Sequence, residues 1–365
     1  MSKLFDRRRL SLLPLNKRDN RVDIERDAIR PEAPALTMSK RATEQTLRVA
    51  EAVHRARADG RPVIVAFGAH AIKNGLAPVL IELMNSGKIT HFATNGAGII
   101  HDWEIAFQGQ TSESVRDNQD AGTFGLWEET GLYLNLAIAV GAYRGLGYGE
   151  SIGSFIAENG LHIPSADQLE SVLADRHLAR WNRAAAADLL DVLGRTGIKP
   201  GLLPVEHPYR AYSLQAAAYA ARVPLTGHPM IGHDIIYMHP MSSGAAIGRT
   251  AEADFLRFAD AVQSMSGGVY LSVGSAIMSP MIFEKAFSMA QNVAIQDGRR
   301  IREHVMFVVD LAEASWDWST QGEPPTDDPA YYLRFLKSFS RVGGRLEYIC
   351  ADNRAFFPAL HAALA

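Results

Sequence analysis

Six short apolar runs in this 365-residue chain each stop at a glycine or a polar residue: PVIVAFG (62–68), THFATNG, HDIIYMHP, GGVYLSVGSA, HVMFVVD and RLEYICAD. A run with no polar alternation is how a parallel strand covered on both faces reads, because neither face meets water. Helix-like segments lie between the runs, among them APVLIELMNSG, AEADFLRFADAVQSM and PMIFEKAFSMAQN. That alternation predicts an α/β fold, a doubly wound, mostly parallel sheet. A helix over 43–58, with Leu47, Ala50, Val53 and His54 on one stripe, precedes the first strand and ends at Gly60.

The first forty residues carry NKRDNRVDIERD and RPEAPALT. They are dense in charge and show no hydrophobic period, so they read as an arm or linker (1–40). The remainder, 41–365, reads as a single Rossmann-like α/β domain. A helical insertion falls around 120–200, where GLYLNLAIAVGAYRG and RWNRAAAADLLDVLG stand. A net charge of −3 provides no field to hold a polyanion, so nucleic acid and an anionic membrane are poor partners. The one cysteine, Cys350, can form neither an internal disulfide nor a thiolate cluster. LSLLPL near the start is too short for a signal segment, and no run approaches the ~18 apolar residues of a membrane span. The expectation is a cytoplasmic protein.

In open α/β sheets, ligands bind outside the carboxyl ends of the strands. The residues expected there are Gly68, His70, Lys73 and Asn74; Thr94, Asn95, Gly96, Gly98, His101 and Asp102; His239 and Ser242; Gly274, Ser275 and Ala276; Asp310, Glu313 and Asp317; and Asp352. Glycine lets backbone N–H groups approach phosphates, and helix N-termini favour negative charge, so the ring suits a nucleotide. The same glycines also serve as plain turns, and neither GxGxxG after the first strand nor GxxxxGK[ST] occurs. His233 and His239 flank a run that, as a strand, would separate them by roughly 20 Å, too far to share a metal. No metal site is expected. His239 reads either as a hydrogen-bonded structural residue or as a proton shuttle where a strand meets a cleft.

Over about 60–365 the order of motifs resembles the deoxyhypusine synthase family. SLQAAAYAARVPLTGHPMIGHDIIYMHP is similar to the family segment that ends at its active-site histidine, which falls on His239. GGVYLSVGSA, FVVDLAEASWDW and YICADNRAFFPALHAAL resemble the glycine-rich strand end, a carboxylate-bearing loop and the closing segment. VAFGAHAIKNG and ATNGAGIIHDWE sit where the nucleotide loops stand, and PAYYLRFLK keeps a family proline-to-lysine spacing that ends at Lys337.

The resemblance implies a homotetrameric NAD-dependent transferase acting on a small-molecule amine, with Lys337 carrying an alkylamine as an imine and His239 moving the proton. It implies Gly68, His70, Asn74, Thr94, Asn95, Gly96, Gly98, Gly274, Ser275, Asp310 and Asp352 about NAD. His101, Asp102, Glu313, Asp317, Tyr331 and Phe335 would lie toward substrate. Tyr331 and Thr320 replace family carboxylates and Phe335 a tryptophan, and a dication needs fixed anions. The expected substrate is therefore not the family's usual polyamine. A diverged oxidoreductase or transferase that keeps NAD without the lysine imine, and a non-catalytic nucleotide binder, are the other readings.

Overall fold

The computed structural model describes residues 4–314 and 316–365. They form two compact units, each assembled from separate stretches of chain. Unit 1 takes residues 4–26, 99–217 and 229–254, and unit 2 takes 27–98, 218–228 and 255–365.

Unit 2 is built on six strands: β1 (Val63–Phe67), β2 (His91–Asn95), β3 (Leu225–His228), β4 (Val269–Val273), β5 (Val305–Asp310) and β6 (Arg345–Cys350). Every neighbouring pair is parallel, in the order β6-β5-β4-β1-β2-β3. Read from the other edge this is 3-2-1-4-5-6, the doubly wound dinucleotide-type order, whose direction reverses between β1 and β4. All five residues of β1 and all five of β4 are buried. Each buried Val, Ile or Phe side chain there contributes roughly 1.5–3 kcal/mol.

Alternation along the strands divides that core between two faces. Ile64 and Ala66 of β1 pack with Tyr270, Met306 and Val308 into a cluster with Phe258, Phe283, Phe287 and Phe339. The other face is covered by helix α1 (Lys40–Ala58) and the C-terminal helix Asn353–Leu364, which also touch each other. Ser39 starts α1 by accepting the Ala42 N–H at 3.1 Å, and Gly60 ends it at φ +65°. Its buried stripe is Ala42, Gln45, Thr46, Val49, Ala50, Val53 and Ala56. Leu47 and His54 of the expected stripe lie on the exposed side instead.

Unit 1 is mainly helical. Helix α2 (Gly96–Gln108) carries the chain into it from β2, and helix α3 (Glu128–Arg144) is followed by helices at Tyr148–Glu158, Ala166–Ala174 and Arg180–Gly194. The expected insertion around 120–200 is thus helical, with the addition of Gly160–Ile163 paired antiparallel to Gly201–Pro204. Trp103, Phe155 and His207 form part of its core, where the Trp103 indole N–H donates to His207 Nε2 at 3.0 Å.

Three expectations need correction. The described residues fall into two compact units where one domain was expected, and part of the expected arm or linker (1–40) is packed into the first. Leu15 and Ile24 are buried, Arg18 makes a buried two-point ion pair with Glu104 at 2.8 Å, and the stretch to Arg26 belongs to unit 1. Ile235–Met238 is a 3₁₀ turn and not a strand. It is held to α3 by the Asn135 side-chain amide, which donates to the Ile236 carbonyl at 2.9 Å. The strand expected there is instead β3, a few residues earlier, whose sequence is LTGH.

Candidate functional sites

In unit 2 the tips of β1 and β4 meet at two glycines. Phe67 is level with Val273, and the Gly68 N–H donates to the Val273 carbonyl at 3.2 Å. A Cβ on Gly68 would lie 2.2 Å from the Gly274 carbonyl oxygen, so only glycine permits this approach. Gly274 has φ +57°, and among the described residues no atom beyond its two chain neighbours lies within 4 Å of where its side chain would stand. The loop from Gly274 through Ile277 is largely exposed and runs into helix α4 (Met278–Gln296). Ser275 is the buried exception, its hydroxyl accepting the Ser279 N–H at 3.2 Å.

Helix α2 starts immediately beyond β2, where the Asn95 side chain accepts the Gly98 N–H at 2.9 Å. Thr94 is buried, and its hydroxyl donates to the Phe67 carbonyl at 3.0 Å, tying the tip of β2 to that of β1. Gly98 packs against Thr94 so closely that a Cβ would fall 2.2 Å from its hydroxyl oxygen. Thr94 and Gly98 therefore shape the edge, Gly96 is buried at the start of α2, and Gly274 leaves backbone open. Neither α2 nor α4 carries an acidic side chain in its first turn, so both N-termini keep their positive partial charge.

The remaining expected residues spread along the same edge. His70 begins the short helix after β1, its pKa lowered first by partial burial and then by Lys73. Asn74 donates to Asn353 at 2.8 Å, which joins the turn after β1 to the helix after β6. Asp310 ends β5 and accepts the Leu311 N–H at 2.7 Å. Asp352 caps helix α5 (Asn353–Leu364) and pairs with Arg354 at 2.7 Å, which holds its carboxyl below the ordinary range. With strands about 4.8 Å apart, Asp310 stands one strand and Asp352 two strands from β4.

Glu313 and Asp317 lie exposed in the segment after β5. Asp317 accepts from Ser319 and Thr320, which hold its carboxyl down to about 2. Lys337 lies on the helix Arg334–Ser340 with its ammonium 3.7 Å from the Tyr331 ring centroid, and the Phe335 ring lies beside that of Tyr348.

Four expected residues, His101, Asp102, His239 and Ser242, belong to unit 1. Asp102 is fully buried and accepts from the Ser213 hydroxyl (2.5 Å), the Leu214 N–H (2.9 Å), and the backbone and side-chain nitrogens of Gln215 (3.3 and 2.9 Å). It serves as a cap on the helix Leu214–Ala221 and has no face left for a substrate. His101 points Nδ1 at the Thr111 hydroxyl, 2.7 Å away, beside the Arg18–Glu104 pair.

His239 does not end a strand. It follows the 3₁₀ turn and is 5% exposed, its ring packed on α3 at Gly131, where a Cβ would lie 2.6 Å from the imidazole. Its Nδ1 accepts the Met241 N–H at 3.1 Å, so the neutral ring carries its proton on Nε2. Burial lowers its pKa to about 4. Nε2 has no hydrogen-bond partner among the described residues and stands 3.7 Å from the Glu128 carboxylate. In this form His239 is a hydrogen-bond donor at Nε2 rather than a base.

His239 and Glu128 both line a pocket of about 990 Å³, together with Arg7, Leu132, Thr196 and Ser242. Sequence reasoning missed Glu128, Gly131 and Asn135. Their 128, 131, 135 spacing places them on one face of α3, which was a legible signal. Among the described residues, no group of His, Cys, Asp or Glu is able to hold a metal ion, and no helix is long and apolar enough to cross a membrane.

No protein-family model matches the chain, so the resemblance to deoxyhypusine synthase rests on the quoted motifs. No curated protein matches it either. Among solved structures it is similar to AgrE in a ternary complex with ornithine and NAD+, at 13% identity over 90% of this chain and 34% of that one, with a TM-score of 0.43. It is also similar to ArgZ, an arginine dihydrolase from the ornithine-ammonia cycle in cyanobacteria (13%, 88% and 32%, TM-score 0.41). A conserved putative LOR/SDH protein from Methanococcus maripaludis S2 is a third (12%, 92% and 73%, TM-score 0.43). The chain spans about a third of the length of AgrE and ArgZ.

Proposed function

We propose that the chain is an NAD-dependent enzyme acting on a small molecule, with the dinucleotide seated on the edge where the tips of β1 and β4 meet. The observation that carries this reading is the strand order, together with the backbone contact of Gly68 and Gly274 at its reversal. The donor set fits a pyrophosphate: two helix N-termini without acidic side chains, and an open backbone at Gly274. When bound, NAD supplies hydride transfer. The chain's own part is to anchor the phosphates on the turns after β1, β2 and β4, with Thr94 and Ser275 holding those turns in shape.

Transfer through an imine on Lys337 is the less favoured route. The Lys337 side chain rests on the Tyr331 ring, 3.7 Å from its centroid, and attack on a substrate carbon requires it to leave that contact. A small amine remains the first substrate class to try, as the motif resemblance implies.

The test is mass identification of nucleotide released on denaturing the purified full chain, with calorimetric titration of NAD+. NAD released, or saturable NAD+ binding, is expected. Neither co-purifying nucleotide nor binding overturns the reading. Borohydride added with NAD+ and an amine should leave Lys337 unmodified, and a trapped adduct there would restore the transferase route.

A further inference from the structure

The pocket beside His239 lies wholly within unit 1 and has chemistry of its own. His239 Nε2 is a buried N–H donor with no partner among the described residues, and Glu128 Oε1 is an acceptor 3.7 Å from it. That gap is too long for a hydrogen bond between them, and one oxygen atom can bridge it by accepting from the first group and donating to the second. A hydroxyl does both. A carbonyl oxygen can only accept, and it would leave Glu128 facing a lone pair.

A cation stands on the same wall. One terminal nitrogen of Arg7 donates to the carbonyls of His239 (3.4 Å) and Ser242 (3.3 Å), which pins the guanidinium to the loop that carries the imidazole. Its remaining N–H donors meet no carboxylate among the described residues. The other arginines of the pocket are engaged, Arg8 with Asp6 at 2.9 Å and Arg195 with Asp191.

We propose that this pocket binds a small hydroxy carboxylate, its hydroxyl between the Nε2–H of His239 and the carboxylate of Glu128 and its carboxylate on Arg7. At about 990 Å³ the space holds such a molecule with room for a further substituent. The assignment stands independently of the dinucleotide reading.

The test uses the full chain and three probes of nearly equal size: lactate, with a hydroxyl; pyruvate, with an oxo group; and propionate, with neither. Each is titrated while the melting temperature and the His239 ring NMR signals are followed. Lactate should shift both in a saturable way and bind at least tenfold more tightly than propionate, with pyruvate between them. Arg7→Gln, a change at an exposed side chain, should weaken all three while lowering the unliganded melting temperature by no more than a few degrees and leaving NAD+ binding unchanged. Glu128→Gln should erase the preference for lactate over pyruvate. Equal binding of all three probes, or no binding of any, overturns the proposal, as does lactate binding that survives Arg7→Gln unchanged.

Discussion

Gly68 and Gly274 meet backbone to backbone, with no room for even a methyl group on Gly68. Gly68→Ala should therefore separate the tips of β1 and β4, costing about 1–3 kcal/mol by overpacking and lowering NAD+ affinity at least tenfold. Gly274→Ala meets open space and bears only the strain of φ +57°, about 1–2 kcal/mol. Denaturant titration and calorimetry on both variants check this. NAD+ binding unaltered in Gly68→Ala would remove this edge from the nucleotide site.

Arg18→Met leaves Glu104 buried without its guanidinium partner, with the Thr111 and Thr130 hydroxyls still donating to it. The loss should be about 3–5 kcal/mol, and Arg18→Met combined with Glu104→Leu should recover most of it. Chemical denaturation of the three proteins decides the point. A near-neutral single variant would mean that the N-terminal stretch is not docked by this pair.

Asp234 sets a pH dependence. Burial pushes its carboxyl up to about 6, against the opposing effects of the Tyr237 hydroxyl and of His233, while Tyr148 and Asp254 stand in the same cluster. The folded state favours the protonated acid, so this contribution to stability is whole below the ordinary 3.8 and is lost as pH rises through about 6. Asp234→Asn should match the parent near pH 4 and exceed it by roughly 2–3 kcal/mol near pH 7.5. Melting curves across that range test it, and a difference that does not change with pH would exclude the titration.

The central strands were legible because burial on both faces writes an unbroken apolar run, as in VIVAF and VYLSV. Strand β3 was not, because LTGH is mostly polar. Its Thr226 hydroxyl meets the Nε2 atoms of both His91 (3.1 Å) and His228 (2.9 Å), and burial drives both imidazoles down to about 3. Such a strand is stabilised by internal hydrogen bonds that leave no hydrophobic pattern. IIYM misled for the converse reason: Ile236 and Tyr237 are buried beside α3, and a short apolar run does not say whether a strand or a turn hides it. The glycines of the sheet edge were legible from residue type. The His239–Glu128 pair was not, since more than a hundred residues separate its members.

The chain passes from one unit to the other five times, at 26/27, 98/99, 217/218, 228/229 and 254/255. A ribosome delivering it from the first residue must hold the opening stretch until residue 254 has emerged, and the sheet cannot gain its last strand until residue 350 has followed. Unit 1 is complete only once residue 254 is out, and unit 2 only after the residues that follow it. No single cut in the gene gives two fragments that each hold one whole unit.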